Sequence, residues 1–528
     1  MTNPMSDFAN AKTLFIIGSN IAVNHTPSMR WVWEAKDRGA GVIVADPRLT
    51  STAWVADTFL QLKSGSDVAL LNGMAHVIIK EQLFDREFIR ERTEEYEAFE
   101  AVVRSYTPER SGEITGLRPG QIIKAAREYA KASAAVIIYC MGITQHAVGT
   151  DNVAACANLA MLTGNLGKPG AGVCPMRGQN NVQGACDMGG LPTLFPGYAS
   201  VVDADVRKRY AKAWHVDDFA QNSGLTLMEM MNNAILGHIK SFLIMGEDPL
   251  VSDPNSNHVR DALGSLDFLA VMDIFMTDTA KIADIVLPAV AWAEKEGSFT
   301  NTERRVQWFN KAVDPAGEAK PDLWIINALG KRFGFNLGGD DAKTVMSEIN
   351  RMVPAYGGIT QERASQKGGI PWPCPSEDHP GTPILHVGTF ARGRGLFVPV
   401  EYKAPVEIVS KEFPYVLNTG RVAVHFNTGT MTHRSASLEE RVSTVNADIH
   451  PDDAADLNIL DKEPITVSTI RGSVKARVHI TKTVAPGEIF LPFHFFGINN
   501  LTVDTLDKQA KIPEVKVAAC QIRKGGTG

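Results

Sequence analysis

Cysteine is scarce and widely scattered in this sequence. The six cysteines contain no Cys-x-x-Cys pair and lie at Cys140, Cys156, Cys174, Cys186, Cys374 and Cys520. This spacing provides no cysteine run that could bind an iron–sulfur cluster, and a disulfide framework is not typical of so long a chain. We therefore expect mostly buried, unpaired thiols.

The sequence also lacks long apolar runs, basic blocks and a signal-like N-terminus. No apolar run approaches the length needed to cross a bilayer, and Met1–Lys12 contains neither a basic nor an apolar signal region. We therefore expect a cytoplasmic protein with no membrane span. The net charge of -6, with no basic tail, argues against nucleic acid as a partner. With 528 residues, the chain is long enough for several globular domains.

Strand patterns that end in polar loops recur through the first half of the chain. Thr13–Gly18 and Gly41–Ala45 predict buried strands on either side of a helix at Ser28–Arg38, although the dinucleotide motif GxGxxG is absent. Five strands of this kind end near Gly18, Ala45, Cys140, Met245 and Met272. Because ligands of open α/β sheets bind at the carboxyl ends of strands, the recurrence indicates an α/β fold with a large composite pocket. Repeated strand–helix turns without a ligand are the alternative.

The stretch Leu159–Asp187 is rich in glycine and in polar side chains that carry forked donors. It reads LAMLTGNLGKPGAGVCPMRGQNNVQGACD, a mixture that we do not expect in regular secondary structure. Arg177 is the only cation between Lys168 and Asp187. A fixed guanidinium is suited to binding a small carboxylate through two parallel hydrogen bonds. The alternative is an ordinary loop in which the arginine pairs with a surface acid, but the whole string favours a ligand site.

The second half of the chain changes character twice. Val313–Leu323 and residues 355–395 are rich in proline and glycine, and from about Ala404 the pattern predicts short strands with a hairpin turn at Arg471–Ser473. We expect four domains: an α/β dinucleotide-binding domain at 1–178, a second at 179–316, an irregular connector at 317–403 and a β-rich domain at 404–528. Arg304 and Arg305, next to two acids, indicate an ion-pair network that locks a loop.

Several of these strings resemble one known family. RGQNNVQGACDMGGLP and TGNLGKPGAGV closely resemble the catalytic subunit of formate dehydrogenases in the molybdopterin (dimethyl sulfoxide reductase-like) superfamily, as do ADIVLP and EGSFTNTERR. The resemblance extends over nearly the whole chain. It implies an α/β protein whose open doubly wound sheets surround a cleft for bis-molybdopterin guanine dinucleotide with molybdenum or tungsten. It also implies a C-terminal, double-psi-like β-barrel at 404–528.

The resemblance also implies roles for individual residues. Arg177 is the expected catalytic residue, which orients formate, and Gln179 is its expected partner, whereas neither Cys174 nor Cys186 is expected to act. No residue of this sequence is expected to ligate the metal. His494 is expected to be a core histidine. The expected cofactor-binding residues are Asn20, Asn24, Asp46, Gly65 and Asp67 for one dinucleotide, Asp248, Ser252, Asp273 and Thr277 for the other, Gly142, Gln145, Gln179, Arg421, His425 and Thr428 for the pterins, and Asn500 and Lys516 in a closing set.

In the family, an N-terminal segment carries the cysteines of a [4Fe-4S] cluster and a selenocysteine or cysteine that ligates the metal. Met1–Pro4 resembles residues that follow this ligand, so we expect either a fragment created where a selenocysteine codon was read as a stop, which we prefer, or a natively divided protein that needs a complementary chain. The expected activity is oxidation of formate to CO2. Electrons would pass to iron–sulfur subunits or to hydrogenase, NAD-reducing or deazaflavin-reducing partners. The alternative is a non-catalytic or split cofactor-binding subunit of another molybdopterin oxidoreductase.

Overall fold

The computed structural model describes residues 1–525. The chain forms two compact units. Unit 1 comprises Met1–Met176, Val251–Asn257 and the chain from Ile384 onward, whereas unit 2 comprises Arg177–Leu250 and His258–Pro383. The predicted division into four domains stays a prediction.

The strands are, in chain order, β1 (Thr13–Ile17), β2 (Gly41–Ala45), β3 (Thr58–Leu60), β4 (Thr93–Glu94), β5 (Ala135–Tyr139), β6 (Gly172–Pro175), β7 (Leu194–Phe195), β8 (Ala199–Ser200), β9 (Ser241–Met245), β10 (Phe268–Asp273), β11 (Ile285–Pro288), β12 (Gly297–Thr300), β13 (Arg305–Phe309), β14 (Ile370–Pro371), β15 (Gly395–Leu396), β16 (Tyr415–Gly420), β17 (Asn446–Ile449), β18 (Pro464–Thr469), β19 (Gly472–Ile480), β20 (Glu488–Pro492) and β21 (Ala518–Lys524).

The helices are α1 (Ile21–Asn24), α2 (Met29–Asp37), α3 (Asp67–Lys80), α4 (Arg86–Arg92), α5 (Tyr96–Val103), α6 (Pro108–Thr115), α7 (Pro119–Ala130), α8 (Met141–Thr144), α9 (Gly149–Leu162), α10 (Val182–Asp187), α11 (Ala204–Trp214), α12 (Leu227–Ile235), α13 (Pro249–Ser252), α14 (Ser256–Gly264), α15 (Asp278–Lys281), α16 (Asp322–Arg332), α17 (Ala342–Met352), α18 (Gln361–Ala364), α19 (Ala436–Glu439) and α20 (Pro451–Asp456).

Unit 1 contains a five-stranded parallel sheet in the order β3-β2-β1-β5-β6. Its strands are apolar at nearly every position because helices cover both faces of the sheet. Phe15 and Ile17 point into the cluster that contains α3, α7 and α9, whereas Leu14 and Ile16 point into the cluster that contains α2. The α/β class and the doubly wound arrangement expected from the sequence are confirmed.

The expectation that Leu159–Asp187 avoids regular secondary structure is wrong. Strand β6 and helix α10 both lie within this stretch. Gly172 fits into β6 because the N-terminal segment packs against that strand: a Cβ at Gly172 would lie 2.2 Å from Thr2 Oγ1. Thr2 also donates its backbone N–H to Val173 O, at 3.1 Å. A glycine here therefore permits close approach of another segment, a use that local sequence does not distinguish from a loop.

Unit 1 also contains the closed six-stranded barrel β16-β20-β17-β19-β18-β21. Its pairings are mixed, with β16 parallel to β20 and β18 antiparallel to β19. The side chains of Leu417, Ile449 and Val467 alternate inward to form its core. The predicted barrel and the hairpin at Arg471 are confirmed.

Unit 2 contains the parallel sheet β11-β10-β9 and the antiparallel sheet β12-β13-β14. Arg304 is buried and donates to the carbonyls of Trp372, Thr382 and Pro383. Arg305 pairs with Glu303 at 3.2 Å. The prediction that these arginines fix the loop is confirmed. Arg304, however, bonds to backbone carbonyls where we had expected acidic side chains.

The sequence led us to expect no membrane span and mostly buried, unpaired thiols. No helix within residues 1–525 is both long enough and apolar enough to span a membrane. All six cysteines are free, and five of them are buried, whereas Cys186 is partly exposed. The expectation of mostly buried thiols is confirmed.

Candidate functional site

The first part of the candidate site lies at the topological switch point of unit 1, where β1 is flanked by β2 and β5. Gly142 N donates to Gly18 O at 3.0 Å, so the loops that follow β1 and β5 touch. A Cβ at Gly142 would lie 2.6 Å from Gly18 O. Glycine is therefore required at Gly142 for the two loops to meet.

The loop after β1 carries two predicted asparagines with different surroundings. Asn20 Oδ1 accepts a hydrogen bond from Thr52 Oγ1 at 2.8 Å, which fixes the loop. Asn24 Oδ1 and Ser19 Oγ are buried atoms that lack a hydrogen-bond partner in the described part of the chain. Since buried polar atoms are rarely left unpaired, the pair indicates a place for a ligand.

Buried ionisable groups lie beyond β2 and β3. Asp46, at the end of β2, is 9% exposed, and burial raises its pKa to about 6 despite Arg48. Arg48 is placed over the Phe490 ring, 3.3 Å from its centroid, and burial lowers its pKa. Glu488, at the start of β20, accepts from Ser64 N at 3.2 Å, and burial raises its pKa to about 7. Arg48 lies two residues after Asp46 in the same loop, so sequence reasoning could have included it, whereas Glu488 has no such signal.

Gly65 and Asp67 shape the turn that begins α3. Gly65 has a φ of +79°, and a Cβ there would lie 2.7 Å from the Pro405 side chain. Asp67 is the first residue of α3 and is buried. Burial raises the pKa of Asp67, and His146 partly opposes this effect. The structure brings Asp67 and Lys516 close enough to Asp46 to affect its pKa.

Two predicted cations from the C-terminal region lie in the same cluster. Lys516 donates to Thr419 O at 3.0 Å, and burial lowers its pKa to about 8. Arg421 lies 3.5 Å from Asn427 Oδ1, and burial lowers its pKa as well. Within residues 1–525 neither cation forms an ion pair with a carboxylate, and both side chains are partly buried. Partly buried cations that lack such a partner favour an anionic ligand.

Two histidines of the barrel region were singled out from the sequence, His425 and His494, and both are buried. His494 Nε2 accepts from Val422 N at 2.9 Å, and burial lowers its pKa to about 4. His494 is therefore the core residue that we expected. His425 was expected to bind the ligand, but it is buried, with Nδ1 3.1 Å from Thr432 Oγ1 and Nε2 2.7 Å from Val442 O. Both ring nitrogens of His425 therefore have partners within the protein, and its role in binding the ligand stays a prediction.

Three further predicted residues of unit 1 lie on its loops. Gln145 follows α8 and is half-buried, and Thr428 Oγ1 lies 3.2 Å from Thr430 Oγ1. Asn500 belongs to the short 3-10 turn Ile498–Leu501. Its neighbour Asn499, which the sequence analysis missed, donates to Val251 O at 2.7 Å and so attaches α13 to the turn.

The second part of the candidate site is in unit 2 and centres on Arg177. Its backbone N–H donates to Thr302 Oγ1 at 2.9 Å, and its Nη1 lies 3.2 Å from Cys186 Sγ. The predicted partner Gln179 is exposed and makes no hydrogen bond within residues 1–525. The prediction for Gln179 as a partner of Arg177 is therefore wrong. The side chain that contacts the Arg177 guanidinium is Cys186, which was not expected to act. Cys186 lies on α10, one helical turn after Gln183.

Helix α10 ends at a buried carboxylate. Asp187 is 1% exposed and accepts from Tyr356 Oη at 2.5 Å, Tyr198 Oη at 2.8 Å and Gln183 Nε2 at 2.7 Å. Burial, followed by the facing Asp187, raises the pKa of both tyrosines, so their hydroxyls remain protonated donors. No local pattern indicates this set, because Tyr356 lies 169 positions after Asp187 in the chain.

Of the predicted residues at the ends of β9 and β10, Asp248 bonds to the loop after the other strand, whereas Asp273 and Thr277 bond within their own loop. Asp248 accepts from Thr279 N at 2.9 Å and from Thr279 Oγ1 at 2.6 Å. Asp273 Oδ1 accepts from the Phe275 N–H at 3.0 Å, and Thr277 caps α15. Ser252 belongs to unit 1, where its hydroxyl donates to Asp253 at 2.9 Å.

Comparison with known families decides the identity of the fold. The profile of the family described as "Molybdopterin oxidoreductase" matches residues 1–332, and that of the molybdopterin dinucleotide binding domain matches residues 415–519. The chain belongs to the molybdopterin oxidoreductase family.

Named relatives within this family cover almost all of the chain. The F420-dependent formate dehydrogenase subunit alpha of Methanocaldococcus jannaschii is 48% identical over 99% of this chain and 78% of its own length. Formate dehydrogenase H of Escherichia coli is 39% identical over 99% of this chain and 74% of its own length. Acetylene hydratase from Pelobacter acetylenicus shares the fold, with a TM-score of 0.78 at 23% identity, over 98% of this chain and 78% of that one.

The residues of unit 1 fit the molybdopterin dinucleotide that this family binds. A dinucleotide carries a pyrophosphate, and Lys516 and Arg421 supply partly buried positive charge without a carboxylate ion-pair partner in the described residues. Asn24 Oδ1 is a buried acceptor that lacks a donor within residues 1–525. Together, these features match the charge and the polar edges of such a ligand.

Proposed function

We propose that this chain is the catalytic subunit of a formate dehydrogenase and oxidises formate to CO2. The observation that carries the proposal is the 48% identity to an F420-dependent formate dehydrogenase alpha subunit over 99% of the chain. Arg177 and Cys186, which lie in the string that resembles the formate branch, contact each other at 3.2 Å in the structure.

The proposed cofactor is bis-molybdopterin guanine dinucleotide with molybdenum or tungsten. Asn24, Asp46 and Asp67 hold one dinucleotide through the polar edges of guanine and ribose, and Asn20 and Gly65 shape the turns around it. Asp248, Ser252, Asp273 and Thr277 belong to the loops that hold the second. The pterin and phosphate contacts come from Gly142, Gln145, Gln179, Arg421, Thr428, Asn500 and Lys516, with His425 supporting the loop between Arg421 and Thr428.

Arg177 binds the carboxylate of formate in this proposal. A guanidinium presents two parallel N–H donors that match the two oxygens of formate, so a charge-assisted pair fixes the direction of its C–H bond. The cofactor, when bound, supplies the redox chemistry and accepts two electrons. The protein's own contribution is orientation and charge stabilisation, for which Arg177 has to be held in one place.

In this proposal the electrons then pass to redox groups that lie outside residues 1–525. A [4Fe-4S] cluster is the proposed first acceptor, and it belongs to a complementary N-terminal segment or chain. The proposed final acceptor is the deazaflavin F420, with NAD and hydrogenase partners as alternatives, because the Methanocaldococcus jannaschii relative is an F420-dependent enzyme.

Cofactor content and formate oxidation test this proposal together. The chain is expressed in a host that makes molybdopterin guanine dinucleotide, both alone and with the upstream reading frame. Molybdenum, tungsten and pterin are quantified, and formate-dependent viologen reduction is measured. We expect bound dinucleotide in both preparations and formate oxidation where a complete metal site is present. Full cofactor loading without formate oxidation in either preparation would instead favour a non-catalytic cofactor-binding subunit.

A further inference from the structure

The segment that carries Arg177 is fixed to unit 2 at several points. At its beginning, the Arg177 N–H donates to Thr302 Oγ1 at 2.9 Å. At the start of α10, Asn181 Oδ1 accepts from Thr300 N at 2.8 Å. At the end of α10, Asp187 accepts from Tyr356. The loop and the helix are therefore attached at both ends, and Arg177 and Cys186 lie between the attachments.

The attachment at Asp187 differs from the others because a charge is buried there. Asp187 is 1% exposed, and within residues 1–525 its hydrogen-bond donors are the neutral side chains of Gln183, Tyr198 and Tyr356. Tyr356 is 3% exposed and its hydroxyl also lies 3.1 Å from Thr300 Oγ1, so the phenol links the end of α10 to Thr300, the residue of β12 whose N–H donates to Asn181 at the start of the helix. Breaking these hydrogen bonds would leave a buried carboxylate without donors, which costs free energy. The attachment at Asp187 is therefore rigid.

We propose that Asp187, held by the hydroxyls of Tyr198 and Tyr356, is a positioning residue that fixes α10 and so keeps Cys186 against the Arg177 guanidinium. The three residues do not contact formate in this account. They act through α10 on the direction of the guanidinium, on which the two-point binding of a carboxylate depends. This inference rests on the proposed function for its consequence in catalysis, but not for its consequence in the position of Cys186.

Cys186 offers a direct measurement of that position. It is the one cysteine of the six that is not buried, so a small alkylating reagent reaches it first. Full-chain wild type, Tyr356→Phe and Tyr198→Phe are treated with iodoacetamide, and the labelling rate of Cys186 is followed by mass spectrometry. Tyr106→Phe is the matched control, because it removes a buried hydroxyl that accepts from Tyr402 N in unit 1.

The expected result is a several-fold change in Cys186 labelling in both tyrosine variants and none in the control. In cofactor-loaded protein, the formate KM of both variants should rise between about 10- and 100-fold, the range expected for a displaced binding group, while pterin content stays equal to wild type. Tyr198 is 41% exposed, so Tyr198→Phe leaves the core intact and decides the matter should Tyr356→Phe fail to fold.

Two results would overturn the inference. One is unchanged labelling and unchanged formate KM in a folded Tyr198→Phe protein. The other is an equal effect of Tyr106→Phe on both quantities. If fully loaded wild type does not oxidise formate, the proposed function fails, and the labelling comparison still tests whether Asp187 and its tyrosines position Cys186.

Discussion

Replacing Glu488 by glutamine should change how folding stability depends on pH. Glu488 is 7% exposed and accepts from Ser64 N at 3.2 Å and Ser64 Oγ at 3.4 Å. Burial raises its pKa from 4.5 to about 7, and the nearby Arg48 only partly opposes the effect. The folded protein therefore binds this proton more tightly than the unfolded chain does.

The sign and the size of the effect follow from linkage. Because the folded-state pKa is the higher one, the contribution of Glu488 is fully present below about pH 4.5 and is lost as the pH rises through about 7. The difference between the folded and unfolded pKa values corresponds to about 3 kcal/mol of unfolding free energy. Glu488→Gln cannot ionise and keeps an acceptor for Ser64. The variant should lie within about 1 kcal/mol of wild type at pH 5 and be more stable than wild type by up to about 3 kcal/mol at pH 8.

Urea unfolding of the cofactor-free protein, followed by circular dichroism at pH 5 and pH 8, measures this difference. Glu113→Gln, which changes an exposed acid of α6, serves as the control and should leave the wild-type pH dependence unchanged. Parallel pH dependences for wild type and Glu488→Gln would refute the reasoning, because they would mean that Glu488 titrates alike in the folded and unfolded chains.

Two further predictions concern the cofactor-binding cluster of unit 1. Lys516→Met should lower the amount of bound pterin at least about tenfold at limiting cofactor, since a hydrogen bond to a charged group contributes about 1.5–3 kcal/mol. Fluorescence of the oxidised pterin measures the bound amount, and loading equal to wild type would contradict the prediction. Gly142→Ala should destabilise the protein by about 1–3 kcal/mol because its Cβ would lie 2.6 Å from Gly18 O. Gly120→Ala, with open space at its Cβ, is the control, and equal melting temperatures would contradict the prediction.

Sequence patterns predicted the elements in which neighbouring residues themselves show which positions are buried. Strands β1, β2 and β5 read as apolar runs because both faces of the sheet are covered, and their bounds were predicted to within a residue or two. The barrel hairpin of β18 and β19 was predicted from alternation around Arg471–Ser473. Strand β6 was missed because its glycine serves a contact with Thr2, which no local pattern encodes.

The candidate site was predictable only where a residue type is itself informative. The resemblance singled out Asp46 and Lys516 separately, and they lie close together in unit 1. The partners that set their surroundings are distant in sequence, however: Glu488 bonds Ser64 across 424 positions. Cys186 was not expected to act, although it contacts Arg177. Contacts of this kind depend on tertiary packing, so a single sequence does not reveal them.

The most direct test of the account is the effect of Arg177→Ala on cofactor-loaded protein. Formate oxidation and pterin content are measured on the same preparations of wild type and variant. The account predicts that formate oxidation is lost while pterin and metal content stay at the wild-type level, because Arg177 binds the substrate and not the dinucleotide. Formate oxidation retained at the wild-type formate KM would contradict it.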